Sequence, residues 1–383
     1  MNNTPLPAGL NEMDLAAIET VRRVAEKILA PEAATVDETS CFPAAQLHAL
    51  AEIGMLGINL PEQWGGPGLS ALALSACVEA VAAGCASTAS ALTAHFLATD
   101  AILLGGDDSL RARILPKAAT GEVLGAFALT EPRAGSNPVD MRCTARKTDS
   151  GYHVSGVKHF ISNGAVADFI VVFAITDASA GHKGISAFLV EQNTPGLIAS
   201  QPERTMGLRG GHVFELSFDC EIPEENRIGQ EGSGFRTAMK VLDNGRVEVA
   251  SMCLGIAQSA LDAALGWVKQ RMIGGQPLAG YQGIQWMLAD MATQLRAARL
   301  LTEDAAAKRA QGIRFSQEAS MAKLFAAEAA GRIADTALQI HGGYGFVRDL
   351  PLERHVRDLR IMRIYEGSSE VQRTIIARHL INQ

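Results

Sequence analysis

Glu366 stands between Tyr365 and Gly367, directly ahead of Ser368 and Ser369, with a new helical run starting from Glu370. A carboxylate at such a junction can act as a general base, because a loop can aim it into a cleft while nearby N–H groups bind a developing oxyanion. Helix-dipole complementarity or capping is the structural alternative. Three further segments bear chemistry. FALTEPRAGS, from Phe127 to Ser136, leaves a strand pattern for a loop of hydroxyls and exposed amides that could hold a heterocycle or phosphate, or that simply connects two elements. Phe160 and Ser162, two residues apart, would share one face of an extended strand, the aromatic to stack on a planar ring and the hydroxyl to donate to it; a core aromatic beside a turn is the alternative. From Gln339 to Gly345, QIHGGYG ends a helix in three glycines, which permit positive φ and a close backbone approach to phosphates, or serve only as a C-cap.

Other chemistries lack a foothold. His341 and His355 have no His/Asp/Cys set at metal-ligand spacing, so no metal is expected, and no G-x-S-x-G elbow occurs for a serine nucleophile. The six scattered cysteines form no C-x-x-C pair and read as buried free thiols in a reducing compartment. A net charge of −7 argues against wide nucleic-acid binding. No signal-like pattern opens the chain, and no uninterrupted apolar run reaches the roughly 18 residues of a membrane span, so a cytoplasmic protein without membrane insertion is expected.

Three blocks must position these residues. Apolar residues recur at helical spacing through the first hundred or so positions, for example Leu15, Ile18, Val21 and Val24, with breaks at Pro31, Pro43, Pro61 and the glycines around Pro67. The period then changes to strand-like runs such as Phe214, Leu216 and Phe218. Without intervening helical patterns, an antiparallel barrel or sandwich is preferred over a parallel doubly wound sheet. Helical period returns after Phe235 with long faces that fit a four-helix bundle. The fold expectation is α+β, with a helical N-terminal domain (1–121), a middle β-domain (122–235) and a C-terminal helical bundle (236–383).

Taken in order, these motifs resemble the acyl-CoA dehydrogenase family over nearly the whole chain. MGLRGG at 206–211, PEEN at 223–226 with Gly229, and Arg271 with Gly275, Pro277 and Leu278 support the likeness. The resemblance implies FAD between the middle and C-terminal domains, reaching a neighbouring subunit of a homotetramer (a dimer of dimers). It implies an acyl-CoA substrate, α,β-dehydrogenation to the trans-2-enoyl-CoA, and an electron-transfer flavoprotein as electron acceptor. Glu366 would remove the α-proton while flavin N5 takes the β-hydride. The thioester carbonyl would be held by the Glu366 N–H and a ribityl hydroxyl.

Carried over by residue, Phe127, Leu129, Thr130, Ser136, Phe160, Ile161 and Ser162 would contact the flavin and ribityl. Arg271, Ile273, Gln282, Gln339, Gly342 and Gly343 would hold the pyrophosphate and adenosine across the subunit interface. Ser368 and Glu370 would complete the cofactor site. Ser136, Asp243, Arg246 and Gly367 would line the substrate channel. Some family members carry the base immediately before the arginine that Arg246 matches; here that position is Gly245, leaving Glu366. Gly274 stands where an aromatic is usual, and Phe160 and Ser162 replace Trp and Thr. A short or branched acyl chain is the substrate expectation. An oxygen-using flavoenzyme and a helical interaction protein that has lost its cofactor are the rival readings.

Overall fold

The computed structural model describes residues 6–382. Met1 to Pro5, on which part of the reading of the N-terminus rested, and Gln383 lie outside the described residues. The N-terminal helices are α1 (Glu12–Val24), α2 (Ala30–Thr39), α3 (Ala44–Ala51), α4 (Ala71–Gly84), α5 (Ala86–Gly105) and α6 (Asp108–Thr120). Asn11 caps α1 in a reciprocal box with Asp14. Asp14 is itself buried because it also accepts from the backbone and hydroxyl of Ser70, the cap of α4. One carboxylate thus starts one helix and seats it on another.

Eight strands follow: β1 (Gly125–Ala128), β2 (Thr144–Lys147), β3 (Gly151–Ser162), β4 (Phe169–Ile175), β5 (Ile185–Glu191), β6 (Leu197–Ala199), β7 (Val213–Pro223) and β8 (Arg227–Ile228). The sheet order is β6-β7-β3-β2-β4-β5-β8, with β1 beside β4. Most pairings are antiparallel, as expected, while β1 and β2 both run parallel to β4. They share one edge of β4, β1 from Phe169 to Val172 and β2 at Ile175, where the sheet divides. Side chains from both halves, among them Ala126, Ala145, Val154, Val172, Phe188 and Leu216, then close on a common core.

The C-terminal part holds α7 (Gly234–Gln270), a hairpin of β9 (Met272–Ile273) and β10 (Gln276–Pro277), then α8 (Gln282–Ala310), α9 (Ser316–His341), α10 (Leu352–Arg360) and α11 (Ser369–Ile381). Three helices are long and the fourth, α11, has 13 residues. N-terminal α4 also packs against both α7 and α8. One apolar core accordingly joins residues of α1 to α5 with those of α7 to α10, so the two helical blocks are not separate cores. By length and apolarity α7 alone among the described helices could cross a membrane. Here it is the central strut of the subunit, most of its residues buried and bearing Asp243, Arg246 and Glu248.

Candidate active site

Glu366 is presented by a strained turn. Glu366 has φ +50° and Gly367 φ +91°, two successive left-handed residues between the turn at Ile361–Arg363 and α11. A left-handed non-glycine residue costs about 1–2 kcal/mol, so surrounding contacts must hold it. Lys323 on α9 donates from Nζ to Tyr365 O (2.9 Å) and Gly367 O (2.7 Å). Gln372 on α11 donates from Nε2 to Glu366 O (3.0 Å) and Gly367 O (2.9 Å). Ser368 caps α11, its side chain accepting from Val371 N, and exposed Glu370 lies in the first turn as a dipole-complementing acid. No backbone acceptor takes the Glu366 N–H among the described residues, which leaves it available as an oxyanion donor.

The residue is half-buried, and its Oε2 is buried without a hydrogen-bond partner. Burial pushes the carboxyl up to about 7, against the pull of Lys323 and Arg246. The carboxylate rests on α7 at Gly245, where a β-carbon would lie 2.2 Å from Glu366 Oε2 and 2.7 Å from Leu97 Cδ2 of α5. The carboxylate therefore projects into the seam between α5 and α7. Arg246 is buried and pairs with Asp243 at 2.6 Å, while Asp243 also accepts from Ser316. Arg246 thus lies between Asp243 and Glu366, whose charges both act on it. Arg246 bonds Asp243 through Nη1, while its buried Nε has no hydrogen-bond partner.

One helical turn along α7, Glu248 meets Arg309 of α8 at 3.3 Å, and Asp100 of α5 accepts from Asn244 at 2.6 Å. Burial pushes both acids up, since two carboxylates share one guanidinium. The Glu366 charge in turn helps to keep the Glu248 carboxyl high.

The residues expected around the flavin form a second group. His159 N donates to Thr130 O at 2.9 Å, and Lys158 Nζ donates to Leu129 O and to Glu131, joining the end of β3 to the loop after β1. Glu131 in turn accepts from the amides of Arg142 and Cys143. The shared-face argument for Phe160 and Ser162 needs correction. The ladder with β7 slips between Lys158 and Ile161, and Phe160 has φ +57°, so the strand is bulged there rather than extended. The bulge turns the Phe160 ring outward, 59% exposed and stacked on His159 at 4.1 Å. Ile161 and Leu129 are buried in cores, so only their backbones can serve a cofactor. Phe127 packs on Phe173 at 4.9 Å and is part of the hydrophobic packing behind the loop. Thr130 and Ser162 are part-exposed and Ser136 is exposed.

The third group gathers at the far end of the bundle. Trp267 stacks on His341 at 4.9 Å, and the Arg271 guanidinium lies 5.6 Å from the Tyr344 ring centroid. Gly342 has φ +58°, and neither it nor Gly343 has any atom within 4 Å of where a β-carbon would stand. Gln339 ends α9 beside them, while Ile273 and Gln282 flank the β9–β10 hairpin. Gly274 has φ +59° and Gly275 φ +84°, the two-residue turn of that hairpin, which explains a glycine where an aromatic was expected. Tyr281 OH, bonded to Ile273 O at 2.7 Å, occupies the space beside Gly274.

An exposed ring beside hydroxyls at one place, and an open glycine turn with a guanidinium at another, fit a flavin and its phosphates respectively. They do not fit one cofactor within one chain. Arg271 is 26 residues beyond Gly245 on the same helix, about 39 Å at a rise of roughly 1.5 Å per residue. His341 Nδ1 faces Ala337 O and His355 Nε2 faces Ser259, and no metal-holding group of three His, Cys, Asp or Glu occurs among the described residues. Cys41 corrects the thiol expectation: it is exposed, whereas the other five cysteines are buried.

Sequence reasoning missed Lys323 and Gln372. Lys323 carried a signal, since it falls among Ala319, Ala322, Ala326, Ala327 and Ala330 on an otherwise apolar helical face.

Sequence models of the acyl-CoA dehydrogenase N-terminal, middle and C-terminal domains match residues 11–122, 126–220 and 232–381. The chain belongs to the acyl-CoA dehydrogenase family, a family of flavoprotein oxidoreductases. It is 44% identical over 374 residues to the human mitochondrial short-chain specific acyl-CoA dehydrogenase, covering 97% of this chain and 91% of that protein. Butyryl-CoA dehydrogenase from Megasphaera elsdenii superposes with a TM-score of 0.95 at 38% identity, over 98% of this chain and all of that one. A chain solved in work on the electron transferring flavoprotein of Acidaminococcus fermentans superposes at 0.96 with 39% identity, over 99% of this chain and 100% of that one.

Proposed function

We propose that this protein is an FAD-dependent dehydrogenase of a short-chain acyl-CoA, with Glu366 as the general base. The observation that carries the reading is the Glu366 carboxylate, buried and unpartnered at Oε2, aimed into the seam between α5 and α7. A thioester placed there would have its α-carbon against the carboxylate and its carbonyl within reach of the free Glu366 N–H. That donor stabilises negative charge on the carbonyl oxygen as the proton leaves, worth about 3–4 kcal/mol for a well-placed donor. FAD, when bound beside Phe160, Thr130 and Ser162, supplies the hydride acceptor. The names of the short-chain relatives support a short acyl group, and the Acidaminococcus likeness supports an electron-transfer flavoprotein as partner.

The span of α7 supports a second chain: Arg271, Ile273, Gln282, Gln339, Gly342 and Gly343 would meet the phosphates and adenosine of a neighbour's cofactor. Exposed Tyr344, Phe346, Met272 and Trp286 at that end are consistent with burial in a homotetramer. Five buried thiols support a reducing, cytoplasmic setting.

Anaerobic mixing of the yellow protein with butyryl-, isobutyryl- and palmitoyl-CoA, following loss of the oxidised flavin band, tests the reaction. Bleaching by the short thioesters, abolished in Glu366→Gln, is expected. Yellow protein that no thioester bleaches would overturn the dehydrogenase reading and favour an oxygen-using flavoenzyme.

A further inference from the structure

Three successive carbonyls, those of Tyr365, Glu366 and Gly367, are each taken by a side chain from outside the turn. Both donors are 0% exposed: Lys323, which comes from the interior face of α9, and Gln372, in the first turns of α11. The fit is close, since a β-carbon at Gly367 would stand 2.5 Å from Gln372 Nε2. Neither donor has another role that would account for it. Among the described residues the hydrogen bonds of Lys323 Nζ and Gln372 Nε2 all run to this turn, and no carboxylate lies within ion-pair distance of the lysine.

We propose that Lys323 and Gln372 are positioning residues of the proton-transfer site, which hold Glu366 and Gly367 left-handed so that the carboxylate and the Glu366 N–H face the substrate together. The proposal rests on Glu366 being the base. The two donors divide the work. Drawing the three carbonyls toward α9 and α11 turns the intervening peptide so that its N–H is left without a backbone acceptor. A residue relaxed to ordinary negative φ would swing the carboxylate off Gly245 and spoil both functions at once, because side chain and amide sit on the same α-carbon.

Lys323 adds a second action that Gln372 lacks. Against the burial that raises the Glu366 pKa, the lysine charge favours the ionised carboxylate, as does that of Arg246 from α7. Lys323 for its part faces Glu366, Cys253, Arg246 and Glu328, and burial holds its own pKa down to about 8. The lysine and the glutamate therefore titrate as neighbours, whereas Gln372 carries no charge to lose.

The test is rapid anaerobic mixing of FAD-loaded wild type, Lys323→Met, Gln372→Met and Glu366→Gln with butyryl-CoA from pH 5.5 to 9. For Lys323→Met the rate of flavin reduction should fall roughly 10–100-fold, as expected for a misplaced reacting group, with butyryl-CoA affinity within about 2-fold of wild type. Its pH midpoint should also move upward. Gln372→Met should lose rate similarly with an unmoved midpoint, and it carries the test by itself if Lys323→Met does not fold. Wild-type rates in folded, yellow Gln372→Met, or a wild-type pH profile in folded Lys323→Met, would overturn the proposal while an inert Glu366→Gln left the base assignment standing. An active Glu366→Gln would overturn both.

Discussion

Gly245 and Glu366 are in direct contact: the missing β-carbon of the one is the space that the carboxylate of the other fills, with only 2.2 Å between that β-carbon position and Oε2. A helix can bring its backbone this close to a charged group only where it has no side chain. The contact explains how a residue outside the bundle's regular helices comes to act in the seam between α5 and α7.

Gly245→Ala should therefore displace the carboxylate rather than merely crowd it. Leu97 blocks the other side at 2.7 Å, so the new methyl group has no free direction. We expect kcat to fall about 100-fold and stability by about 1–3 kcal/mol, the range for overpacking. Stopped-flow flavin reduction and denaturant unfolding read the two effects separately. Unchanged kinetics would show that the carboxylate does not need its position on α7.

The pH dependence of turnover follows from the base. In the proposed role Glu366 acts ionised, and burial pushes its pKa up to about 7, so kcat/KM should rise with pH and reach half its plateau near 7. A plateau already reached at pH 5 would mean that the carboxylate is solvated in the free enzyme.

Stability should run the opposite way. The folded pKa of Glu366 is raised above the unfolded value of 4.5, so its relative contribution is fully present below 4.5 and is lost as pH rises through about 7. Glu366→Gln lacks this loss and should be more stable than wild type at pH 8 by about 1–3 kcal/mol, a shift of roughly 2.5 units being the ceiling. The difference should narrow as pH falls toward 4.5. Thermal melts of both proteins at pH 5 and pH 8 decide it, and a gap that does not change with pH would refute the linkage.

Lys158 and Glu131 form a buried pair at 2.7 Å that ties the loop after β1 to β3 and to the amides of Arg142 and Cys143. Lys158→Met should cost about 3–5 kcal/mol, because it strands the Glu131 charge. It should also loosen flavin retention by releasing Leu129 O, with Thr130 next to it. The visible absorbance that survives gel filtration measures the second effect. Glu131→Gln combined with Lys158→Met should recover part of the stability, since no buried charge is then left alone.

Much of the architecture was legible because periodicity is local. The 3.6-residue stripes of α7, α8 and α9 and the alternation along β7 lie in contiguous stretches, and each reports which face must be buried. Glu366 was legible too: ahead of a glycine and two serines it stood out as a candidate base, with helix capping as the alternative. The bulge at Phe160 was not readable, since nothing in a run of strand-forming residues states where the ladder with β7 slips. Nor did local pattern reveal that the N-terminal helices and the bundle share one core, which requires apolar faces far apart in the chain to find each other.

The sequence by itself determined which segments could become helix or strand and which side chains could abstract a proton, stack on a ring or approach a phosphate. The tertiary structure alone decided that Lys323 reaches the turn at 366 across 42 residues or more of chain, that Gly245 receives the carboxylate, and that Arg271 lies too far along α7 to serve the same site as Glu366. The physical reason is that propensity and periodicity are properties of neighbours along the chain. The orientation and acidity of a buried carboxylate depend instead on hydrogen bonds, charges and excluded water from elements that meet only when the whole subunit has packed.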